Sequence, residues 1–239
     1  MTPSEPVLLL SGFMADARLW MGQVPDLSRT RMVSVAPMVG DTLEEISTGI
    51  LDNAPARFAL VGHDLGAAVA TDILRRAPER VTRIALICGN AQGETPVGAA
   101  AREPRMVAVK TGRFGDVLRQ ELNASHLHDG PHRSEILSMW YEMALEVGPD
   151  AYLRLSRIAQ RRPDAQAVLR RARLPALIVA GASDTINPVR RAEFIAQLMP
   201  YAELVVIEGA GHLPMWEAPK SLTRALVDWL DTPAPLVLR

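Results

Sequence analysis

The chain has 239 residues, 48% hydrophobic and 22% charged, with a formal net charge of −1 at pH 7. This length can bury one substantial core, and the near-neutral charge gives no reason to expect nucleic acid or an anionic membrane as a partner. No apolar run approaches membrane-spanning length. A lone cysteine excludes an internal disulfide, and no basic region precedes the first apolar run. We therefore expect a cytoplasmic protein.

Short apolar runs alternate with helical patterns through the first 90 residues. Continuous apolar runs are typical of strands buried on both faces. Their alternation with helices predicts an α/β fold, a mostly parallel sheet with helices on both faces. The predicted strands are 7–10, 32–36, 58–62 and 84–88, and the predicted helices are 17–27, 42–51 and 65–76.

The alternation stops after residue 90 and resumes near residue 174. Between these points only helical patterns occur, which predicts a helical cap over 91–173, inserted into a core formed by 1–90 and 174–239. The tail from residue 232 contains two prolines and is predicted to be frayed. The cap helices are predicted at 99–109, 114–123, 133–145, 150–158 and 164–171; strands follow at 176–180 and 204–207, with helices at 188–198 and 217–230.

A tight turn is predicted where the third strand meets its helix. The apolar run from Phe58 ends at Gly62, and a helical pattern starts just after Asp64. Glycines at 62 and 66 allow a sharp bend and close packing of helix on strand. The side chain of Asp64 is therefore expected at the apex, pointing away from the sheet.

Two further polar residues follow later strands. Asp184 lies in the loop after the fifth strand and His212 in the loop after the sixth. In an open parallel sheet, reactive groups lie on the loops beyond the carboxyl ends of the strands. An apex residue, an acid and a histidine in this order form the arrangement of α/β-hydrolases.

The chain resembles the α/β-hydrolase superfamily over nearly its full length. The loop Ser11-Gly12-Phe13-Met14 looks like the oxyanion loop of small bacterial esterase-like members. Most members have serine at the apex. The aspartate found here is similar to that of haloalkane dehalogenases, fluoroacetate dehalogenases and epoxide hydrolases, which share Gly-His-Asp followed by one residue and Gly.

This resemblance implies a hydrolase with a covalent intermediate on Asp64. A carboxylate is already ionised at pH 7 and can displace a leaving group at a saturated carbon. His212 would then activate the water that hydrolyses the resulting ester, with Asp184 orienting its imidazole. The backbone N–H groups of Phe13 and Leu65 would stabilise the oxyanion, at about 3 kcal/mol per donor.

No subfamily matches completely. Haloalkane dehalogenases have tryptophan, and fluoroacetate dehalogenases have arginine, where this chain has Leu65. Epoxide hydrolases use two cap tyrosines, for which Tyr141 and Tyr152 are the candidates. The expected target is a carbon–halogen bond or an epoxide in a small, fairly apolar molecule. Carboxylic ester or lactone hydrolysis with Asp64 as base is the first alternative, and a binding protein that has lost turnover is the second.

The substrate pocket is predicted between cap and sheet, lined in part by Met14, Trp140, Tyr141 and Tyr152. Small-molecule substrate and water are the expected partners, no cofactor is expected, and the oligomeric state is left open. His63 and Cys88 are interpreted as structural. The arginines of the cap could contact a substrate carboxylate, although composition favours solvated faces; these are Arg102, Arg105 and Arg113.

Four residues near the middle of the cap resemble a metal-binding group at first. They are His126, His128, Asp129 and His132. A metal site needs ligands that converge from fixed positions, and no further partner is evident for this loop. A solvated or pocket-lining loop is therefore the interpretation, and no metal is expected.

Overall fold

In a computed structural model that describes residues 5–233, six strands form one parallel sheet. The spatial order is β2-β1-β3-β4-β5-β6, and every neighbouring pair is parallel. The predicted fold class is confirmed. The strands are β1 Val7–Leu10, β2 Val33–Ala36, β3 Phe58–His63, β4 Val81–Ile87, β5 Ala176–Gly181 and β6 Ala202–Ile207.

Helices cover both faces of this sheet, so its inner strands are shielded from solvent. Every residue of β1, β3 and β5 is buried, whereas the edge strands β2 and β6 are partly exposed. The helices are α1 Val24–Leu27, α2 Leu43–Asn53, α3 Leu65–Arg76, α4 Pro96–Lys110, α5 Phe114–Glu121, α6 Arg133–Val147, α7 Pro149–Gln160, α8 Gln166–Arg171, α9 Val189–Leu198, α10 Pro214–Glu217 and α11 Pro219–Asp231, with 3-10 turns at Ala17–Trp20 and Ala124–His126.

Two predicted helices are interrupted by proline. The expected helix over 17–27 is a 3-10 turn followed by the single turn of α1, whose second residue is Pro25. The expected helix over 217–230 is divided into α10 and α11 at Ala218 and Pro219. Proline lacks the N–H that a continuous helix needs and clashes with the preceding turn. The helical periodicity of the sequence continues through both interruptions, which is why each segment was predicted as one helix.

The segment after β4 contributes four helices on the carboxyl side of the sheet. Helix α4 packs against α7, and α5 packs against α4 and α6. Helix α8 instead packs against α3 and α9, which flank the sheet. The two ends of the segment meet where the Ala165 N–H donates to the Ala91 carbonyl at 2.8 Å. This contact joins the ends of the segment but does not define its limits, so the boundaries of the cap at 91 and 173 stay a prediction.

The tail beyond Pro233 lies outside the described residues, as does the start of the chain before Glu5. None of the helices within 5–233 has both the length and the apolar character needed to cross a bilayer.

Candidate active site

Asp64 occupies the apex of a strained turn between β3 and α3. Its backbone has φ 48° and ψ −111°, in the left-handed half of φ space that non-glycine residues seldom adopt. A Cβ on Gly66 would lie 2.6 Å from the carbonyl oxygens of Leu10 and Ser11. The glycine at this position therefore lets α3 start directly against the end of β1, which holds the Asp64 side chain above the sheet.

The side chains of Asp184 and His212 are in contact with each other. Nδ1 of His212 lies 2.9 Å from Oδ2 of Asp184, and both side chains are buried. Oδ1 of Asp184 accepts the N–H groups of Ile186 and Asn187, so the carboxylate is held at both oxygens. This contact places the proton of a neutral imidazole on Nδ1 and leaves Nε2 of His212 as the base.

The three charged groups shift one another's pKa values. Burial would lower the pKa of His212, but the carboxylates of Asp184 and Asp64 outweigh it and raise that pKa above its usual value. Burial would raise the pKa of Asp184, yet the His212 imidazole holds it below its usual value. The Asp184 carboxyl group is therefore an anion at neutral pH, and the pKa of the His212 imidazole depends on the charge of Asp64.

The Asp64 carboxylate lies in the backbone cradle predicted as the oxyanion hole. The Phe13 N–H donates to Oδ2 at 3.1 Å, and the nearby Leu65 N–H also favours the ionised carboxylate. Burial would raise the pKa of Asp64; His212, His63 and these two N–H groups outweigh it and lower that pKa. The other oxygen, Oδ1, has a longer contact of 3.5 Å from the Asn187 amide.

His63 supports the backbone of the neighbouring histidine. Its Nε2–H donates to the His212 carbonyl at 2.8 Å, and the two ring centroids are 5.0 Å apart. Burial, reinforced by the nearby His212, lowers the pKa of His63 to about 4. The ring is therefore neutral at pH 7.

Within residues 5–233, one set of side chains has metal-ligand proximity: His63, Cys88 and His212. Nε2 of His63 and Nδ1 of His212 are engaged as described above. Burial raises the pKa of the Cys88 thiol well above its usual value, so it would resist conversion to the thiolate that binds metals. We assign no metal to this set.

The four residues that resemble a metal-binding group in the sequence, His126, His128, Asp129 and His132, have separate partners. His126 Nδ1 accepts the Asn123 N–H, and His128 Nδ1 lies 3.2 Å from the Ser183 hydroxyl. Asp129 pairs with Arg133 and His132 with Glu135. His126 lines the cavity beside Asp64, as the pocket-lining interpretation of this loop expects.

A cavity of about 290 Å³ opens in front of Asp64 and His212. Of the four predicted pocket residues it includes Trp140. The lining omits Met14, Tyr141 and Tyr152, whose assignment to the substrate pocket stays a prediction. Its apolar lining comprises Phe13, Ala15, Leu65, Leu122, Trp140, Ala159, Ile186 and Leu213.

The three omitted side chains are held elsewhere by packing. Met14 is fully buried in the core. Tyr152 is also fully buried, packs edge-on against Phe13 and donates its hydroxyl to Glu121. Tyr141 is covered by the guanidinium of Arg119 at 4.6 Å from the ring centroid. Burial, followed by Glu121, raises the pKa of Tyr152, which opposes a role as a substrate acid.

The cavity wall also carries charged residues. Arg102 and Arg105 from the predicted group contribute to it, whereas Arg113 is exposed outside it. Arg162 and Glu121 also line it but were missed from the sequence. No local pattern could have identified them, because their neighbours in the cavity come from distant parts of the chain.

The cap is joined directly to the loop of the histidine. The His212 N–H donates to the His126 carbonyl at 2.9 Å. The Glu217 carboxylate accepts the N–H of His128 from the cap at 2.7 Å and that of Leu213 at 2.8 Å. Glu217, which the sequence interpretation also missed, thus connects the cap loop to the catalytic loop.

The family model described as the alpha/beta hydrolase fold matches residues 53–219. The chain therefore belongs to the α/β-hydrolase family, and it is a hydrolase. It is 29% identical to a pimeloyl-[acyl-carrier protein] methyl ester esterase of Aromatoleum aromaticum, over 93% of this chain and 96% of the relative.

Solved structures agree with this fold. A thermophilic esterase from Thermogutta terrifontis superimposes with a TM-score of 0.85 at 26% identity, covering 95% of this chain and 89% of that one. An enol-lactonase from Burkholderia xenovorans LB400 gives a TM-score of 0.83 at 22% identity, covering 96% and 92%, and supports the fold alone. These comparisons do not show the resemblance to dehalogenases and epoxide hydrolases, which rests on the elbow motif.

Proposed function

We propose that this hydrolase cleaves a small, fairly apolar molecule through a covalent ester on Asp64. The observation that carries the proposal is the position of the Asp64 carboxylate, with Oδ2 held by the backbone N–H of Phe13. A carboxylate anchored by one oxygen is oriented for attack through the other. Its low pKa keeps it an anion across the neutral range.

In the first step, Oδ1 of Asp64 forms a bond to a saturated carbon of the substrate. The bond from that carbon to the leaving group breaks, and the leaving group departs with the electron pair. The Tyr152 hydroxyl donates a hydrogen bond to Glu121, which weighs against protonation of an epoxide by this tyrosine. A leaving group that departs as a stable anion, such as a halide, therefore suits the site better than an epoxide oxygen.

In the second step, water attacks the carbonyl carbon of the Asp64 ester. Nε2 of His212 accepts a proton from this water, and the negative charge develops on Oδ2 within the backbone cradle. Collapse breaks the bond between the carbonyl carbon and Oδ1, and the His212 imidazolium returns its proton to the departing oxygen, which leaves as the alcohol. Esterification removes the Asp64 charge that helps to raise the pKa of His212, which lowers that pKa and favours the neutral imidazole that acts as the base.

Ester or lactone hydrolysis is the second candidate, supported by the names of the relatives. Here Asp64 would act as base, and a water would attack the acyl carbon. The new oxyanion would need the N–H groups of Phe13 and Leu65, and the Asp64 carboxylate already occupies that of Phe13. This competition makes the covalent route the better fit. A binding protein without turnover is the third candidate.

Single turnover in ¹⁸O-labelled water tests the covalent route. With enzyme in excess over a haloalkane substrate, we expect one ¹⁸O atom in the peptide that contains Asp64, because water attacks the enzyme ester. Turnover with label in the product alone would reject the route and favour direct attack by water. Absence of turnover on haloalkane, epoxide, ester and lactone panels would favour the binding protein.

A variant of the base gives an independent test. In His212→Gln the first step should proceed and the second should stall, since no group accepts the proton from water. Intact mass should then show a stable adduct of the alkyl group, with one equivalent of leaving group released. Asp64→Asn is the matched control and should release none. An adduct retained in Asp64→Asn would contradict the proposal.

A further inference from the structure

Three arginine side chains from the helical segment reach the cavity in which Asp64 lies. Arg102 comes from α4, Arg105 follows it on the same helix, and Arg162 lies just beyond α7. Arg105 pairs with Glu121 at 3.2 Å, so these two charges largely cancel. The charge of this part of the cavity wall then depends on Arg102 and Arg162.

Arg162 is a half-buried cation without an ion pair. Its Nε donates to the Gln92 carbonyl at 3.3 Å, and among the described residues no carboxylate lies within ion-pair distance of it. Burial lowers its pKa; the Asp64 and Glu94 carboxylates act in the opposite direction, and Arg102 reinforces the decrease. A desolvated guanidinium beside a second one is costly unless an anion lies nearby.

Arg102 is incompletely paired in the same region. Its contact with Glu94 is long, at 3.4 Å, and its Nε is buried without a hydrogen-bond partner. The guanidinium carbon lies 5.7 Å from the centroid of the Phe13 ring. The backbone N–H of Phe13 also holds Asp64. Arg102 therefore lies near Asp64 while lining the wall of the cavity.

We propose that the substrate carries a carboxylate, bound by Arg102 and Arg162, with its reactive carbon directed at Asp64; this rests on the proposed function. The planar guanidinium group matches a carboxylate with two parallel hydrogen bonds. The negative Asp64 repels the same group, which favours placement of the substrate carboxylate at the two arginines. The aliphatic part of the substrate would contact apolar lining residues such as Leu65, Trp140 and Ile186.

Equilibrium binding of an unreactive pair of probes tests the proposal. Pentanoate and pentanamide have nearly the same size, but only pentanoate carries charge at pH 7.5. Calorimetry at low salt should show pentanoate binding at least about tenfold more tightly to the wild-type enzyme. Equal affinity for the two probes, or no binding of pentanoate, would overturn the proposal.

Variants of the arginines locate the binding site. Arg162→Gln and Arg102→Gln should each weaken pentanoate binding by about tenfold and leave pentanamide binding unchanged. Arg162→Lys should retain part of the preference, which separates lost charge from a disturbed fold. Arg113→Gln is the matched control, because this exposed cap arginine lies outside the cavity. A preference for pentanoate that survives in the Arg102→Gln, Arg162→Gln double variant would also overturn the proposal.

These measurements involve no covalent step, so their failure is distinguishable from that of the proposed function. Label in Asp64 together with equal binding of both probes would reject the carboxylate site alone. Tight pentanoate binding without label in Asp64 would reject the covalent route alone.

Discussion

At Asp64, one side chain changes the reaction that the surrounding backbone can support. The turn, the histidine and the acid of an α/β-hydrolase site are all present, and His212 pairs with Asp184 at 2.9 Å. The carboxylate accepts the Phe13 N–H, and the nearby Leu65 N–H favours its ionised form. An acyl oxyanion of an ester substrate would have to compete for the same donors.

Replacement of the apex residue should therefore uncover esterase activity. In Asp64→Ser the Phe13 and Leu65 N–H groups become free for the oxyanion, and His212 can deprotonate the hydroxyl. We expect hydrolysis of p-nitrophenyl acetate to rise by about a hundredfold over wild type, the effect of one oxyanion donor. Initial rates measured by absorbance give the comparison.

Asp64→Ala is the control for this gain, because it frees the same donors without supplying a nucleophile. Equal rates for the serine and alanine variants would show that the remaining groups do not work as an esterase site.

Among the elements, the β3–α3 turn positions Asp64 through close backbone contact. At Gly66 a side chain would meet two backbone carbonyls, which cannot rotate away. Gly49, within α2, has no atom within 4 Å of a Cβ position. The same substitution should therefore have opposite effects at these two glycines.

We expect Gly66→Ala to lower the free energy of unfolding by about 1–3 kcal/mol through overpacking. Gly49→Ala should raise it by about 0.5–1 kcal/mol, because alanine favours an exposed helix. Urea unfolding followed by circular dichroism measures both. A stable Gly66→Ala protein with unchanged activity would mean that the turn tolerates a wider spacing.

Across the whole molecule, the buried neutral His63 makes folding sensitive to acid. The unfolded chain takes up a proton on this residue below its ordinary pKa near 6.5, whereas the folded chain does so only near 4. The unfolded state thus binds more protons in this window, and stability falls as pH decreases from 6.5 to 4. The pKa difference corresponds to about 3 kcal/mol.

His63→Gln should flatten this part of the stability profile. We expect the loss of unfolding free energy between pH 6.5 and pH 4.5 to be smaller in the variant than in wild type, as measured by urea titration at each pH. His132→Gln removes an exposed histidine and should retain the wild-type slope. A variant profile parallel to wild type would assign the acid sensitivity to other groups.

The cap and the core are joined around the site. Glu217 accepts N–H groups from both His128 and Leu213, and the His212 N–H bonds the His126 carbonyl. The position of His212 therefore depends on the helical segment after β4 as well as on the sheet. The sequence placed His212 after β6 but contained no sign of this connection.

Local patterns were sufficient for the sheet, the turn at Asp64 and the approximate positions of Asp184 and His212. Buried strands form continuous apolar runs, and the ends of parallel strands lie at one edge. The same patterns failed at Pro25 and Pro219, where backbone chemistry overrode helical periodicity. They could not show that Met14 and Tyr152 are fully buried, since a side chain near a site can face either the cavity or the core.

The sequence by itself determined the fold class and an unusual carboxylate at the apex of the turn, because both depend on neighbouring residues. The tertiary structure decided that Oδ2 of Asp64 lies in the backbone cradle and that Arg102 and Arg162 share a wall with it. These contacts join residues from separate strands, loops and helices. Their distances follow from how the cap packs on the sheet, which no local pattern encodes.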